Sequence, residues 1–305
     1  MVKINTILNT MKIPCSNCNA ESDLYFQSRD YNRRITREIF HHYRCPRCGL
    51  IFISPIPQNL GDYYPQEYYF IPDTVDFLVA NATSEKYKIE IIRRYVKQGR
   101  LLEIGPSLGC FTYLAKNSGF EAEAIEMDAR CSKFLNEVAG IPTINSSDTC
   151  GAIKTVKPYD VIAMWHVIEH LTNPWETLEA ISEKLNPGGI LVLAAPNPDA
   201  FQFHVLGRYW PHVDAPRHVM LIPMKILKER LASLGMKAEL ITTTDEGGLG
   251  WNTFGWEYFF SNLCRHPRLN RWLRKLGRTV AKMVEPIEKK ELKGSAYTMV
   301  FRKVA

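Results

Sequence analysis

Glu103-Ile-Gly105-Pro-Ser107-Leu-Gly109 is the stretch of this chain whose residue types and spacing best suit holding a charged ligand. The apolar run Arg100-Leu101-Leu102 leads into the acid, and a helix-like segment from Cys110 to Asn117 follows. A strand, a tight glycine turn and a helix together build a pocket for a nucleotide-like ligand. The nicotinamide or flavin turn, G-x-G-x-x-G, would need glycines at 105, 107 and 110, where the chain has Gly105, Ser107 and Cys110. The spacing that fits is acid-x-G-x-(G/S)-x-G, on Glu103, Gly105, Ser107 and Gly109. Alone, the same residues also suit an ordinary strand–turn–helix corner whose glycines only allow positive φ or close packing. The run Phe120 to Asp128 supplies a second carboxylate. Glu126 falls roughly 20 residues past the turn, where an acid is placed to accept hydrogen bonds from ribose hydroxyls. Asp128 reads as the N-cap of a helix from Ala129 to Ala139.

Two further groups of residues could do chemistry. Cys15-Ser-Asn-Cys18 and Cys45-Pro-Arg-Cys48 are C-x-x-C knuckles, and two such turns can supply the four corners of a tetrahedral thiolate site. Asn19 and Gly49 follow the second cysteine of each pair and tolerate the left-handed backbone a knuckle needs there. The expectation is structural Zn²⁺ on Cys15, Cys18, Cys45 and Cys48, with redox dithiols as the alternative. A closed four-thiolate site leaves no position for substrate, so such a metal folds the module. His41 and His42 lie between the knuckles and read as surface or packing residues. The second group is histidine, which can exchange a proton near neutral pH. His166 ends an apolar strand, His170 lies one helical turn on, and His218 has Asp214 and Arg217 nearby. Each of these histidines can also be structural or substrate-positioning.

The elements that must position these groups alternate in order. Residues 141–145 read as a third strand, followed by Asp148. Tyr159 to His166 reads as a fourth, Trp175–Leu185 as a helix ended by Asn186-Pro187-Gly188-Gly189, and Ile190–Ala195 as a fully apolar fifth strand of a parallel sheet. A helix from Met224 to Leu234, a strand Lys237–Thr243 and a last strand Ala296–Arg302 complete the pattern, with residues 245–294 as a mostly helical insertion.

The Glu103–Gly109 motif resembles motif I of the class I S-adenosylmethionine-dependent methyltransferases, with Ser107 in place of the middle glycine. "YDVIAMWHVIEHLTNP" and "LNPGGILVLAAPNP" are similar to the second half of the same fold, so the resemblance covers roughly residues 85–245. It implies an α/β, Rossmann-like, seven-stranded sheet whose last two strands are antiparallel. It also implies S-adenosylmethionine on Glu103, Gly105, Ser107, Gly109, Glu126, Asp148 and Trp165. Asp148 would contact the adenine amino group; a helix cap is the other reading of that residue. On this resemblance a sulfonium already carries a good leaving group, and the protein aligns an acceptor and excludes water. His166 or His218, with His170 the third candidate, would be a general base, and Arg217, with Trp210 and Asp214, would orient the acceptor. The expected domains are a zinc-ribbon module with an aromatic linker over 1–80, a cofactor domain over 81–244, and a basic helical insertion with the final strand over 245–305.

At 305 residues and 46% hydrophobic, the chain can bury a large core. No apolar run approaches the roughly 20 residues of a membrane-spanning helix, and the first residues lack a secretory pattern. With cysteines spaced for metal, the expectation is a cytoplasmic protein. Tyrosines at 63, 64, 68 and 69 either cover an acceptor pocket or join the zinc module to the rest. From Ser261 to Met283 there are seven Lys/Arg and no acid, against a whole-chain net charge of +6. Leu269, Trp272, Leu273, Leu276, Val280 and Met283 follow helical spacing there. Such a basic amphipathic helix can lie on an anionic membrane face, grip a phosphate-bearing acceptor, or pack on the domain with a solvated cationic face. Nucleic acid is disfavoured, because the Asn/Asp-Pro-Pro-aromatic motif of the nucleic-acid amino-methyltransferases is absent after the fourth strand. "CPRCGLIFISPIP", "YYPQEYY" and "DAPRHVMLIP" resemble a bacterial methyltransferase group linked to surface polysaccharide or sugar modification, which implies a saccharide acceptor, nucleotide- or lipid-linked. The alternatives are a small non-sugar acceptor such as a quinone-like ring, and a non-catalytic zinc-containing scaffold.

Overall fold

The computed structural model describes residues 12–65, 70–264 and 266–304. Twelve strands follow in chain order: β1 Ile13–Pro14, β2 Glu21–Ser28, β3 Phe40–Arg44, β4 Ile51–Ile53, β5 Gly99–Ile104, β6 Phe120–Glu126, β7 Thr143–Asn145, β8 Tyr159–Trp165, β9 Leu185–Pro196, β10 Met220–Leu221, β11 Met236–Thr242 and β12 Ala296–Lys303. They form two sheets in two compact units. One unit gathers the described part of Met1–Pro65 with Pro196–Leu227 and Thr242–Tyr297; the other gathers Gln66–Ala195, Lys228–Ile241 and Thr298–Ala305.

The larger sheet is mixed and runs β11-β12-β9-β8-β5-β6-β7. Its centre, β5, is parallel to both β6 and β8, and β8 is parallel to β9. Chain order therefore moves outward one way through β6 and β7, then returns to the other side of β5 for β8 and β9. That reversal between β5 and β8 is the point at which open α/β sheets leave a crevice beyond their carboxyl ends. Central strands buried on both faces need continuous apolar sequence, and Val161, Ile162, Ala163, Met164, Ile190, Leu191, Val192 and Leu193 have no exposed surface. Ile89, Ile92, Leu101, Phe111, Ala115 and Trp165 close one face. Leu78, Ala124, Phe134, Leu135 and Ile141 form a second cluster in the same unit.

The expected elements stand where the periodicity placed them, with three shifts. The run Asn186-Pro-Gly-Gly189, expected to end a helix in a loop, is already strand: the helix is Pro174–Lys184 and β9 starts at Leu185. Gly188 takes φ 79°, and a side chain at Gly189 would meet the Tyr159 and Asp160 carbonyls at 3.2 and 3.1 Å. Two glycines thus let the backbone bend and close on β8 where its register is irregular. Ser84 to Lys97 reads in the sequence as a helix leading into the first strand of the larger sheet; it begins as a 3-10 turn, Ala82–Glu85, before Lys86–Arg93. The basic stretch from Ser261 is divided between two helices, Glu246–Asn262 and Pro267–Glu288. Pro267 opens the second, where its missing N–H costs nothing.

The smaller sheet is antiparallel along β1-β2-β3-β4-β10. Its last strand comes from Met220 and Leu221, which pair with Phe52 and Ile51. Phe40, Ile51, Ile53, Phe203, Trp210, Leu221, Trp256 and Ala281 share one core, so the N-terminal sheet folds with residues from the last third of the chain. Tyr63 packs edge-on against Phe40 and donates to Glu38 at 2.9 Å, which places it in this core's periphery. Tyr68 and Tyr69 lie outside the described residues.

Candidate active site

The Glu103–Gly109 loop leaves β5 with three left-handed residues: Gly105 at φ 68°, Ser107 at 56° and Gly109 at 80°. The serine therefore stands where a second glycine would relieve strain. Gly105 is required twice, because a Cβ there would also come within 2.7 Å of Val167, just past β8. Gly109 caps the helix Cys110–Asn117, whose first N–H groups point back into the loop. Glu126, at the end of β6, holds the loop from below: its carboxylate accepts from the Ser107 N–H at 2.9 Å and the Asp128 N–H at 2.8 Å. Asp128 caps the next helix through Arg130 and Cys131 N–H, as expected.

Glu103 is buried inside β5 and accepts from the Thr112 hydroxyl. Burial pushes its carboxyl up to about 7, opposed by the nearby Lys88 charge. Burial also raises Glu126 above the ordinary carboxylate range. Trp165 is buried at the end of β8, edge-on to Phe111 and Tyr87, with the Lys88 ammonium 4.8 Å above its ring. Its indole N–H has no hydrogen-bond partner among the described residues. Asp148 is an exposed N-cap that accepts from the Gly151 N–H at 2.9 Å.

His166 follows directly in a left-handed conformation, φ 58°, which costs a non-glycine residue energy. Its main-chain N–H donates to Ala194 O at 2.9 Å. Its Nδ1 lies 3.5 Å from Oε1 of Glu169, which is 1% exposed against 22% for the imidazole. A partly open imidazole backed by a buried carboxylate can take up a proton and hold the resulting cation. Glu169 was not anticipated as a site residue, although its place three after His166 was the available signal. His170 closes the short 3-10 turn Ile168–His170.

The other candidates belong to the unit that holds the antiparallel sheet. Arg217 is fully buried, and its guanidinium donates to Asp30 at 2.8 and 3.3 Å and to Asp214 at 2.7 and 2.9 Å. Burial works against ionised Asp214, but Arg217, His218 and Asn32 outweigh it and hold the carboxyl down at about 2. Asp30 and Asn32 had no signal in sequence, lying more than 180 residues from their partners. Trp210 is buried with its N–H on Gln202 at 3.2 Å, and His218 Nδ1 lies 2.7 Å from the His212 carbonyl.

The cysteine pairs meet. Cys15 and Cys48 sulfurs are 3.6 Å apart, Cys18 and Cys45 3.4 Å, and all four lie within 4.8 Å of one another. Asn19 and Gly49 take φ 58° and 80°, as a knuckle turn demands. His42 stands apart from the sulfurs' chemistry: it is buried, stacked on Phe26 and bonded to Ser28 at 2.8 Å, and burial pushes it down to about 3.

A mixed sheet whose parallel strands reverse order at β5/β8, a left-handed glycine turn beyond β5 and an acid ending β6 define a class I S-adenosylmethionine-dependent methyltransferase. A family profile described as a methyltransferase domain matches residues 66–240, more than half of the chain, and the chain belongs to that family. The ubiquinone biosynthesis O-methyltransferase of Cereibacter sphaeroides (strain ATCC 17029 / ATH 2.4.9) is 27% identical over 168 residues, covering 53% of this chain and 68% of that protein. Phosphoethanolamine N-methyltransferase 2 of Haemonchus contortus shares the fold at 12% identity and TM-score 0.52, over 100% of this chain and 73% of that one. A putative sarcosine dimethylglycine methyltransferase of Galdieria sulphuraria does so at 13% identity and TM-score 0.50, over 81% and 99%.

Proposed function

We propose that the chain moves the methyl group of S-adenosylmethionine to an oxygen or carbon atom of a saccharide-type acceptor, nucleotide- or lipid-linked. The observation that carries the methyl-transfer reading is the loop after β5, where a side chain at Gly105 would close the crevice onto Val167. When bound, S-adenosylmethionine supplies a methyl group on a sulfonium that already is a good leaving group. Gly105, Ser107 and Gly109 would let the main chain approach the donor closely, while their own N–H groups hold the turn's shape on Ile125 O, Glu126 and Pro106 O. Glu126 would take the ribose hydroxyls and Asp148 the adenine amino group, each with an acceptor site left beyond its present hydrogen bonds. Trp165, with its unpartnered N–H, and Glu103 would complete the wall.

His166 is the base of this proposal. It removes the proton of an acceptor hydroxyl or acidic carbon, and Glu169 holds the imidazole in place and stabilises its cationic form. Trp210, Asp214 and Arg217 keep an acceptor role only through groups beyond their present partners, which makes His166 the stronger candidate over His218.

Zn²⁺ fits the four sulfurs. A tetrahedron with Zn–S near 2.3 Å has edges of about 3.8 Å, against 3.6 and 3.4 Å for two pairs. Cys15, Cys18, Cys45 and Cys48 would hold it as a structural ion joining the two knuckle turns. The saccharide acceptor is supported by this cysteine arrangement together with the flanking segments that resemble the sugar-modifying group. A second acceptor, a ring hydroxyl, is favoured by the Cereibacter relative.

Isotope-labelled S-adenosylmethionine incubated with nucleotide sugars, lipid-linked glycans and phenolic rings tests these readings. Label in a sugar product is expected. Label confined to phenolic rings transfers the assignment to the second acceptor, and failure to bind the donor by calorimetry removes the catalytic reading.

A further inference from the structure

We infer that the helical hairpin Glu246–Asn262 and Pro267–Glu288 docks on an anionic lipid surface through the outer face of its second helix. The second helix is divided lengthwise into three faces. Leu273, Gly277, Val280, Ala281, Val284 and Glu288 form the half-buried or buried face. The two helices approach closely there, since a Cβ on Gly277 would fall 2.6 Å from the Trp256 carbonyl. Ordinary packing is thereby satisfied without the rest of the helix.

The second face is apolar and open. Trp272 is 59% exposed, Met283 74%, Leu269 46% and Ile287 45%. At 3.6 residues per turn these four fall within about 60° of arc and extend for about 27 Å along the axis. Leu263, 60% exposed, adds an apolar side chain at the turn before the helix. The third face is cationic: Arg268, Lys275, Lys282, Arg271 and Arg274 border the apolar seam on its other side, and all five are exposed. None has a carboxylate partner among the described residues. The three acids from residue 257 to the end of the second helix have partners: Glu257 pairs with Arg278, Glu285 with Lys289 just past the helix, and Glu288 accepts from the Trp256 N–H.

Charge complementarity selects the occupant. An apolar seam with a tryptophan, flanked by cations and free of acids, suits the boundary between phosphate headgroups and acyl chains. No helix of the described residues is long and apolar enough to cross a membrane, so the geometry is that of a helix lying in the interface plane.

The test is sedimentation of the full chain with vesicles of phosphatidylglycerol and phosphatidylcholine in equal parts, against phosphatidylcholine alone. Binding to the anionic vesicles only, weakened by salt, is expected. Each cation near such a surface contributes about fivefold, so R268Q/R271Q/K275Q would lose on the order of a hundredfold. W272S/M283S would lose tenfold or more while keeping its circular dichroism spectrum. Equal sedimentation with both vesicle types overturns the inference. So does vesicle binding unchanged in W272S/M283S, or tighter binding to a single-stranded oligonucleotide than to vesicles. Donor affinity measured on the same variants stays at the wild-type value if only the lipid surface has been altered; its loss in the wild-type chain would instead bear on methyl transfer.

Discussion

Replacing Glu103 with glutamine should remove one identifiable component of the pH dependence of stability. The carboxyl titrates near 7 in the folded chain against an ordinary 4.5, because burial in β5 disfavours its charge. A folded value above the unfolded one means that the protonated form stabilises the fold. That contribution is complete below about 4.5 and is lost as pH rises through about 7. The gap corresponds to about 3 kcal/mol, at about 1.4 kcal/mol per pH unit of displacement. Glutamine matches the neutral carboxyl in shape and can still accept from Thr112 through its carbonyl. Urea unfolding of wild type and E103Q between pH 4 and pH 8 isolates the effect as a difference. E103Q should gain relative to wild type by about 2–3 kcal/mol over that range, most steeply between pH 5 and 7. Donor affinity gives a second readout: wild type should bind a cationic donor better as pH rises through 7, and E103Q should not. A stability difference that stays flat across the range would show that Glu103 is solvated or paired in a way the buried position does not allow.

Gly105→Ala puts a methyl group 2.7 Å from Val167 at a residue with φ 68°. Left-handed strain alone is about 1–2 kcal/mol, which urea unfolding should show as lost stability, and the added methyl group should weaken donor affinity by calorimetry; an unchanged affinity would refute the crevice. R217M leaves Asp30 and Asp214 buried opposite each other without their cation. Breaking such a cluster from one side costs about 3–5 kcal/mol, readable in urea unfolding. H166Q should abolish most turnover under saturating donor while E169Q lowers it less and shifts the pH–rate profile; turnover unchanged in H166Q would remove the base assignment. Stripping metal with a chelator, or Cys45→Ser, should lower the melting temperature and the zinc content together, whereas full stability without metal would refute the structural ion.

The cofactor half of the fold was legible because its signals are local. Apolar strands, glycine turns and capping acids recur in order from Leu101 to Ala195, and Asp128 caps the helix that its position announced. Boundaries were less legible where two glycines let strand replace loop, as at Gly188 and Gly189. The N-terminal unit was harder. Its knuckles stand out, yet the two-residue strand β10 carries no periodicity, and Asp30 meets Arg217 across 187 positions. Glu169 shows the intermediate case: adjacency to His166 was visible, but only burial reveals why a carboxylate there would matter. The three faces of the basic helix likewise needed structure, since spacing alone groups Leu269 and Trp272 with the apolar positions that pack inward.

The pairing of β10 with β4 has a consequence for how this chain is made. The cysteine sheet and its core cannot close until Met220 and Leu221, and then Trp256 and Ala281, have left the ribosome. A fragment ending near residue 80 would carry both knuckles but present Phe40, Ile51 and Ile53 to water beside an unsatisfied strand edge. Excision of that fragment would yield aggregates, and excision of the remainder would uncover the opposite half of the same core. Residues 40–53 and 203–281 mature together, however far apart they are translated.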